Sequence, residues 1–156
     1  MRLKDKVALI TGASGGLGSA ICEEFAREGA DCLVVYRSDK VQAEETASRV
    51  RSQGRRAQVI KADVSKEGDV RKMFEVVNQV FNRLDILVAN AGMGISKALL
   101  DSTLGDFEQM IRTNLIGTYL TVREGGQLMR LQKAGKIITM SSVHGLGGTY
   151  PSFLSV

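Results

Sequence analysis

Lys6-Val7-Ala8-Leu9-Ile10-Thr11-Gly12-Ala13-Ser14-Gly15-Gly16-Leu17-Gly18 is the stretch that decides the fold. An apolar run ends in a glycine-dense turn, and Leu17, Ala20, Ile21 and Phe25 follow at helical spacing, which predicts a helix with that face inward. A strand that passes through glycines straight into a helix sets backbone N–H groups and a helix N-terminus before a phosphate. Gly12 then permits the sharp exit from the strand, Gly16 the close approach of a pyrophosphate, and Gly18 tight packing of helix on strand. The spacing Gly12-x-x-x-Gly16-x-Gly18 differs from a plain G-x-G-x-x-G, and an ordinary strand-to-helix loop also satisfies it. An ATP-type phosphate loop is excluded, because Ser19-Ala20 stands where such a loop carries Lys-Ser/Thr.

Beyond this unit the pattern repeats. Glu28-Gly29 stops the helix, and Cys32–Tyr36 is a continuous apolar run, as in a strand covered on both faces. Ser38-Asp39 caps a helix with Ala43, Thr46, Ala47 and Val50 inward and Gly54 at its end. Ala57–Ile60 is a third strand, running into Ala62-Asp63-Val64. Ser65 then caps a helix lined by Val70, Met73, Phe74, Val77, Val80 and Phe81. Asp85–Ala89 is a fourth strand ending in Asn90-Ala91-Gly92. Thr103 to Asp106 has the form of a capping box. It opens a long helix with Phe107, Met110, Ile111, Asn114, Leu115, Thr118 and Val122 on one stripe, and Gly125-Gly126 weakens its second half. Lys136–Met140 is a fifth strand, followed by Ser141-Ser142. The order β-α-β-α-β-α-β-α-β predicts an α/β, Rossmann-like, doubly wound parallel sheet of at least five strands. Ligands of such sheets bind past the strand C-termini, and the Gly12 loop, Arg37, Asp63, Asn90 and Ser142 all fall there.

Composition narrows the function classes. The 156 residues read as one dinucleotide-binding domain, with 44% apolar and 24% charged residues. The net charge is +4, but no basic block with interleaved aromatics accompanies it, so nucleic acid is not expected as a partner. Cys22 and Cys32 have no metal-ligand spacing and read as buried thiols in a reducing compartment, so no metal is expected. There is no signal-like or membrane-spanning run, and a cytoplasmic protein off the membrane is expected.

Over essentially its whole length the chain resembles the classical short-chain dehydrogenase/reductase family. Thr11 to Gly18 matches that family's cofactor loop, Asp63-Val64 its adenine-binding pair, and Asn90-Ala91-Gly92 the motif bordering the cofactor. Asn114 and Ser142 fall where the family has its catalytic asparagine and serine. The resemblance implies that Gly12, Ser14, Gly16 and Leu17 border the phosphates and adenosine ribose. Ser142 would hydrogen-bond the oxygen of a small-molecule carbonyl or alcohol substrate, and Asn114 would hold a water in a proton relay. Asn114 also reads as a buried polar residue that kinks the long helix. At the end of the second strand an acid reads the ribose hydroxyls of NAD, whereas arginine accommodates the 2′-phosphate of NADP. Tyr36-Arg37-Ser38 places arginine there, so NADP(H) is favoured over NAD(H). Gly15, where many NADP-preferring relatives are basic, leaves dual use open. His144 follows Ser142 by two residues, but no G-x-S-x-G elbow supports a hydrolase, and it reads as a loop histidine. The nearest flavours are 3-oxoacyl-carrier-protein reductases and glucose or polyol dehydrogenases. Dimers or tetramers through the long helix are expected.

One departure stands out. The family's acid/base is a Tyr-x-x-x-Lys pair about a dozen residues or slightly more past the serine. Leu154, Ser155 and Val156 fill that window, and Tyr150 comes early, with Leu154 four residues on. The expectation is therefore a chain truncated before the pair, without the family's C-terminal elements and with apolar surface exposed where they would pack. The alternative to a hydride-transferring enzyme is a non-catalytic dinucleotide-binding module.

Overall fold

Val7–Ile10 (β1) and Asp31–Tyr36 (β2) are buried at every position, as their unbroken apolar runs require. The computed structural model describes residues 1–142. Ala57–Lys61 (β3), Ile86–Ala89 (β4) and Lys136–Thr139 (β5) complete a parallel sheet of order β3-β2-β1-β4-β5. The order reverses between β1 and β4, which pair through Ala8 with Ile86 and Ile10 with Val88. Between the strands run Gly16–Arg27 (α1), Lys40–Ser52 (α2), Glu67–Phe81 (α3) and a long helical segment. That segment is Leu104–Met110 (α4), a π-helical turn at Ile111–Ile116, and Gly117–Gln132 (α5).

Strand alternation divides the core in two. Val7, Leu9, Leu33, Val35 and Leu87 face α3 and α5, meeting Val70, Met73, Phe74 and Leu120. Ala8, Ile10, Cys32, Val34 and Val88 face α1 and α2, meeting Cys22, Ala26, Ala43 and Val50. The expected inner face of α2 is found complete, with Ala43, Thr46, Ala47 and Val50 buried and Asp39 accepting the Gln42 N–H as cap at 3.0 Å. Cys22 and Cys32 are buried thiols, and the Cys32 thiol donates to the Cys22 carbonyl at 3.6 Å. The contact with Cys32 and the burial push the Cys22 thiol far above its ordinary pKa, so it stays protonated.

Four expectations fail, each for a local reason. In α1 the buried residues are Gly18, Ser19, Cys22 and Ala26, while Ala20 is exposed and Leu17 is 56% exposed. Small side chains four residues apart let the helix press closer to the sheet than the Leu17 face would. Ser65 does not cap α3: Lys66 holds that position, and Ser65 instead turns both N–H and hydroxyl onto Asp63. Val80, near the end of α3, is exposed. Along the long segment the buried stripe is Met110, Thr113, Gly117, Leu120, Thr121, Gly125 and Met129, with Phe107 and Leu115 outward. The π turn widens the helix by one residue per turn, so a face extrapolated at 3.6 residues per turn through Asn114 loses phase.

Gly125 lets α5 lie against β4. A Cβ there would stand 2.5 Å from Leu87 Cδ2 and 3.3 Å from the Phe74 ring. At Gly126 the only neighbour within 4 Å among the described residues is Ile137 Cδ1, at 3.9 Å. At the other side of the sheet, β5 is exposed along its length, and Ile137 and Ile138 remain about two-fifths open. The two adjacent glycines give opposite expectations. Gly125→Ala should lower unfolding stability by about 1–3 kcal/mol through overpacking. Gly126→Ala should hold or raise it by up to about 1 kcal/mol through helix propensity. Urea unfolding of both variants checks this, and equal effects would refute the packing role of Gly125.

Candidate functional site

The site begins where β1 leaves the sheet. Gly12 and Gly16 have φ of +65° and +53°, in the left-handed region that glycine occupies without strain. A Cβ on Gly12 would stand 3.0 Å from the Ala91 Cα; one on Gly18 would run into the Gly12 carbonyl oxygen and lie 2.9 Å from the Ala13 Cα. Gly16, by contrast, has nothing within 4 Å of its Cβ position among the described residues. The first and last glycines thus fold the loop on itself, and the middle one leaves its outer side bare for a ligand. α1 then starts with no side-chain cap and no acidic residue in its first turn, so its N-terminal N–H groups and positive dipole end are not neutralised there.

The loop is held from β4. Thr11 Oγ1 accepts the Asn90 and Ala91 N–H groups at 3.0 and 2.9 Å and donates to the Val88 carbonyl at 3.4 Å. Asn90 returns its side-chain amide to the Thr11 and Gly12 carbonyls at 2.9 and 3.3 Å. The Ala13 N–H reaches the Val35 carbonyl at 2.8 Å, tying the same loop to β2. Three strand ends are thereby fixed around one turn.

Arg37 follows β2, and Asp63-Val64 follows β3. Burial works against the Asp63 carboxylate, but the hydrogen bonds from Ser65, with Lys66 and Arg37 nearby, hold its carboxyl below the ordinary aspartate value. Asp63 is therefore an anion at neutral pH. Its own N–H is held by the Asp69 carboxylate at 3.0 Å, and a Cβ on Gly117 would stand 2.7 Å from Val64 Cγ2, so α5 seats the pair from behind. Past β4, Asn114 on the π turn accepts the Met93 N–H and donates to the Met93 carbonyl, both at 2.9 Å. Its amide is spent on the backbone of the β4 exit.

These strand ends enclose a cleft of about 420 Å3 whose lining includes Gly12, Ser14, Arg37, Asp63, Val64, Ala91 and Gly92. Gly16, Leu17, Gly18 and Asn90 are not in its wall; Gly18 and Asn90 shape the loop, while Gly16 and Leu17 open outward. Asn114 stands behind the β4 exit, and Ser142 lies exposed three residues beyond β5 at the same end of the sheet. His144 and Tyr150 lie outside the described residues. Sequence reasoning missed Thr113, which lines the cleft, and Thr11 as the hub of the loop. A polar residue closing an apolar strand was the signal for Thr11. Among the described residues no cluster of His, Cys, Asp and Glu could hold a metal ion, and no helix is long and apolar enough to cross a membrane.

A family model described as short chain dehydrogenase matches residues 6–153. An uncharacterized oxidoreductase of Bacillus subtilis, YxjF, is 37% identical over 94% of this chain and 56% of its own length. Glucose 1-dehydrogenase 2 of the same organism is 33% identical over 91% of this chain and 56% of its own length. A Burkholderia cenocepacia short chain dehydrogenase, solved in complex with NADP, superposes with a TM-score of 0.90 at 30% identity, covering 97% of this chain and 61% of that one. The chain belongs to the short chain dehydrogenase family, a family of oxidoreductases that use NAD(P), and it spans less than two thirds of the length of these relatives.

The Thr11 hub can be tested directly. Thr11→Val keeps the shape but leaves the Ala91 N–H without its acceptor and the Asn90 N–H with only the Val88 carbonyl at 3.1 Å, which should cost about 1–3 kcal/mol. Thr11→Ser should recover most of it. Urea unfolding decides, and a Val variant as stable as the parent would remove the hub from the account.

Proposed function

We propose that this chain binds NADP(H) in the cleft beyond β1, β2 and β3, as part of a reductase that moves a hydride between that cofactor and a small carbonyl or alcohol. Gly12, Ser14, Gly16, Leu17 and Gly18 would hold the phosphates on backbone N–H groups and the α1 N-terminus. Asp63 would accept the adenine amino group while the Val64 N–H donates to the ring, Ala91 and Gly92 would form the floor, and Asn90 would act through the glycine loop it braces. When bound, the dinucleotide supplies or receives the hydride. Ser142 would steady the charge that develops on the substrate oxygen. Asn114 would act through the backbone it holds at Met93 and through a water in the proton relay. The acid/base step is assigned to no residue here, because no tyrosine after Ser142 is followed by lysine four residues on. The exposed Phe107, Leu115 and Tyr119 would serve a homo-oligomer contact, and the paired thiols suit a reducing, cytoplasmic setting.

The observation that carries the cofactor choice is at the end of β2. Arg37 lines the cleft without an ion pair among the described residues, while Asp39, the next acid, uses Oδ1 to cap α2. Arginine suits a 2′-phosphate, and a carboxylate engaged as a helix cap is a poor ribose acceptor. Calorimetry with NADPH and NADH tests this. Arg37→Asp should weaken NADPH by about tenfold or more, as for a lost charge-assisted hydrogen bond, while sparing or improving NADH. Unchanged selectivity would withdraw NADP(H) in favour of NAD(H). Binding of neither cofactor by the parent would withdraw the whole reading.

A further inference from the structure

A second cleft of about 240 Å3 opens beside the first and shares Arg37, Asp63 and Thr113 with it. Its outer wall is a helical stripe running from α4 into the π turn: Gly105, Glu108, Gln109, Arg112 and Thr113, at spacing i, i+3, i+4, i+7, i+8. Apart from Gly105 the stripe is polar, and all of it but Thr113 is exposed. Arg112 makes no ion pair among the described residues, like Arg37, whereas Arg49, Arg55, Arg56, Arg83 and Arg123 all do.

Charge counting gives that arginine a task. The main cleft sets Arg37 against Asp39 and Asp63, and the second cleft adds Arg112 and Glu108. A 2′-phosphate monoester brings about −1.5 to −2 more at neutral pH. Without Arg112, Arg37 and Lys66, whose Nζ is 3.9 Å from Asp63, would stand against Asp39, Asp63, Glu108 and that phosphate. We infer that Arg112 is a second specificity-determining cation of the adenosine end, favouring the cofactor that carries a 2′-phosphate. This rests on the NADP(H) reading and extends it to a residue from the opposite wall of the cleft. Arg112 acts through the local potential, so its effect is smaller than that of Arg37 and fades with salt.

The test uses two fragments, adenosine 2′,5′-bisphosphate and 5′-AMP, which differ only in the 2′-phosphate, with calorimetry as the readout. Arg112→Gln should weaken the bisphosphate about two- to fivefold at low salt, the scale of an exposed charge pair, and leave 5′-AMP unchanged. Arg112→Lys should keep most of the preference. Arg130→Gln, which removes the same charge from the last turn of α5, serves as control and should change nothing. Matching unfolding curves show that the variants are folded. The inference is overturned if Arg112→Gln and Arg130→Gln behave alike, if 5′-AMP weakens as much as the bisphosphate, or if the difference survives high salt. A parent that prefers the bisphosphate and responds to Arg37→Asp, with Arg112→Gln silent, overturns this inference alone. A parent that binds both fragments equally overturns the NADP(H) reading with it.

Discussion

The hydroxyl of Thr11 is the point on which the site depends. It stands at the switch point, where the sheet order reverses between β1 and β4, and it accepts two N–H groups from the β4 exit. Asn90 answers with its amide on the β1 exit. Without these bonds the half-buried Ala91 N–H would lose its acceptor, and the Asn90 N–H would keep only the Val88 carbonyl. Because the same bonds hold Gly12 against Ala91, the glycine loop is fixed before any ligand arrives. A preformed loop spends none of its binding energy on ordering itself.

Close approach is the second constraint, and small residues meet it. Gly18 brings α1 onto the loop, Gly117 brings the long helix onto Val64, and Gly125 brings it onto Leu87 and Phe74. The π turn then changes the phase of the long helix, so that Asn114 holds the β4 exit while Arg112 and Thr113 line the smaller cleft. The chemistry at each strand end is thus backed by a helix packed tightly enough to hold it.

Much of this was legible in the residues. The alternation of strands and helices, the glycine loop, the α2 face with its Asp39 cap and the Thr103 capping box all follow local rules of period, capping and turn chemistry. So did the placement of Arg37, Asp63, Val64, Ala91 and Gly92 around one cleft, because the C-terminal ends of parallel strands lie together by topology. What escaped depends on tertiary packing. The inner face of α1 is set by how closely Gly18 approaches the loop, which hydrophobic period does not record. The stripe on the long helix is set by a π turn, which no spacing rule announces. Ser65 forms a turn on Asp63 and caps nothing, because a serine two residues after an aspartate can satisfy either role.

The proposed reading places a dinucleotide in one cleft across the β1, β2, β3 and β4 exits. Amide NMR of the protein titrated with NADP+ tests it most directly. The account predicts perturbations concentrated at Gly12 to Gly18, Arg37, Asp63-Val64 and Ala91-Gly92, with the far ends of the strands and the outer face of α3 silent. Perturbations absent from those residues, or centred elsewhere on the chain, would contradict it.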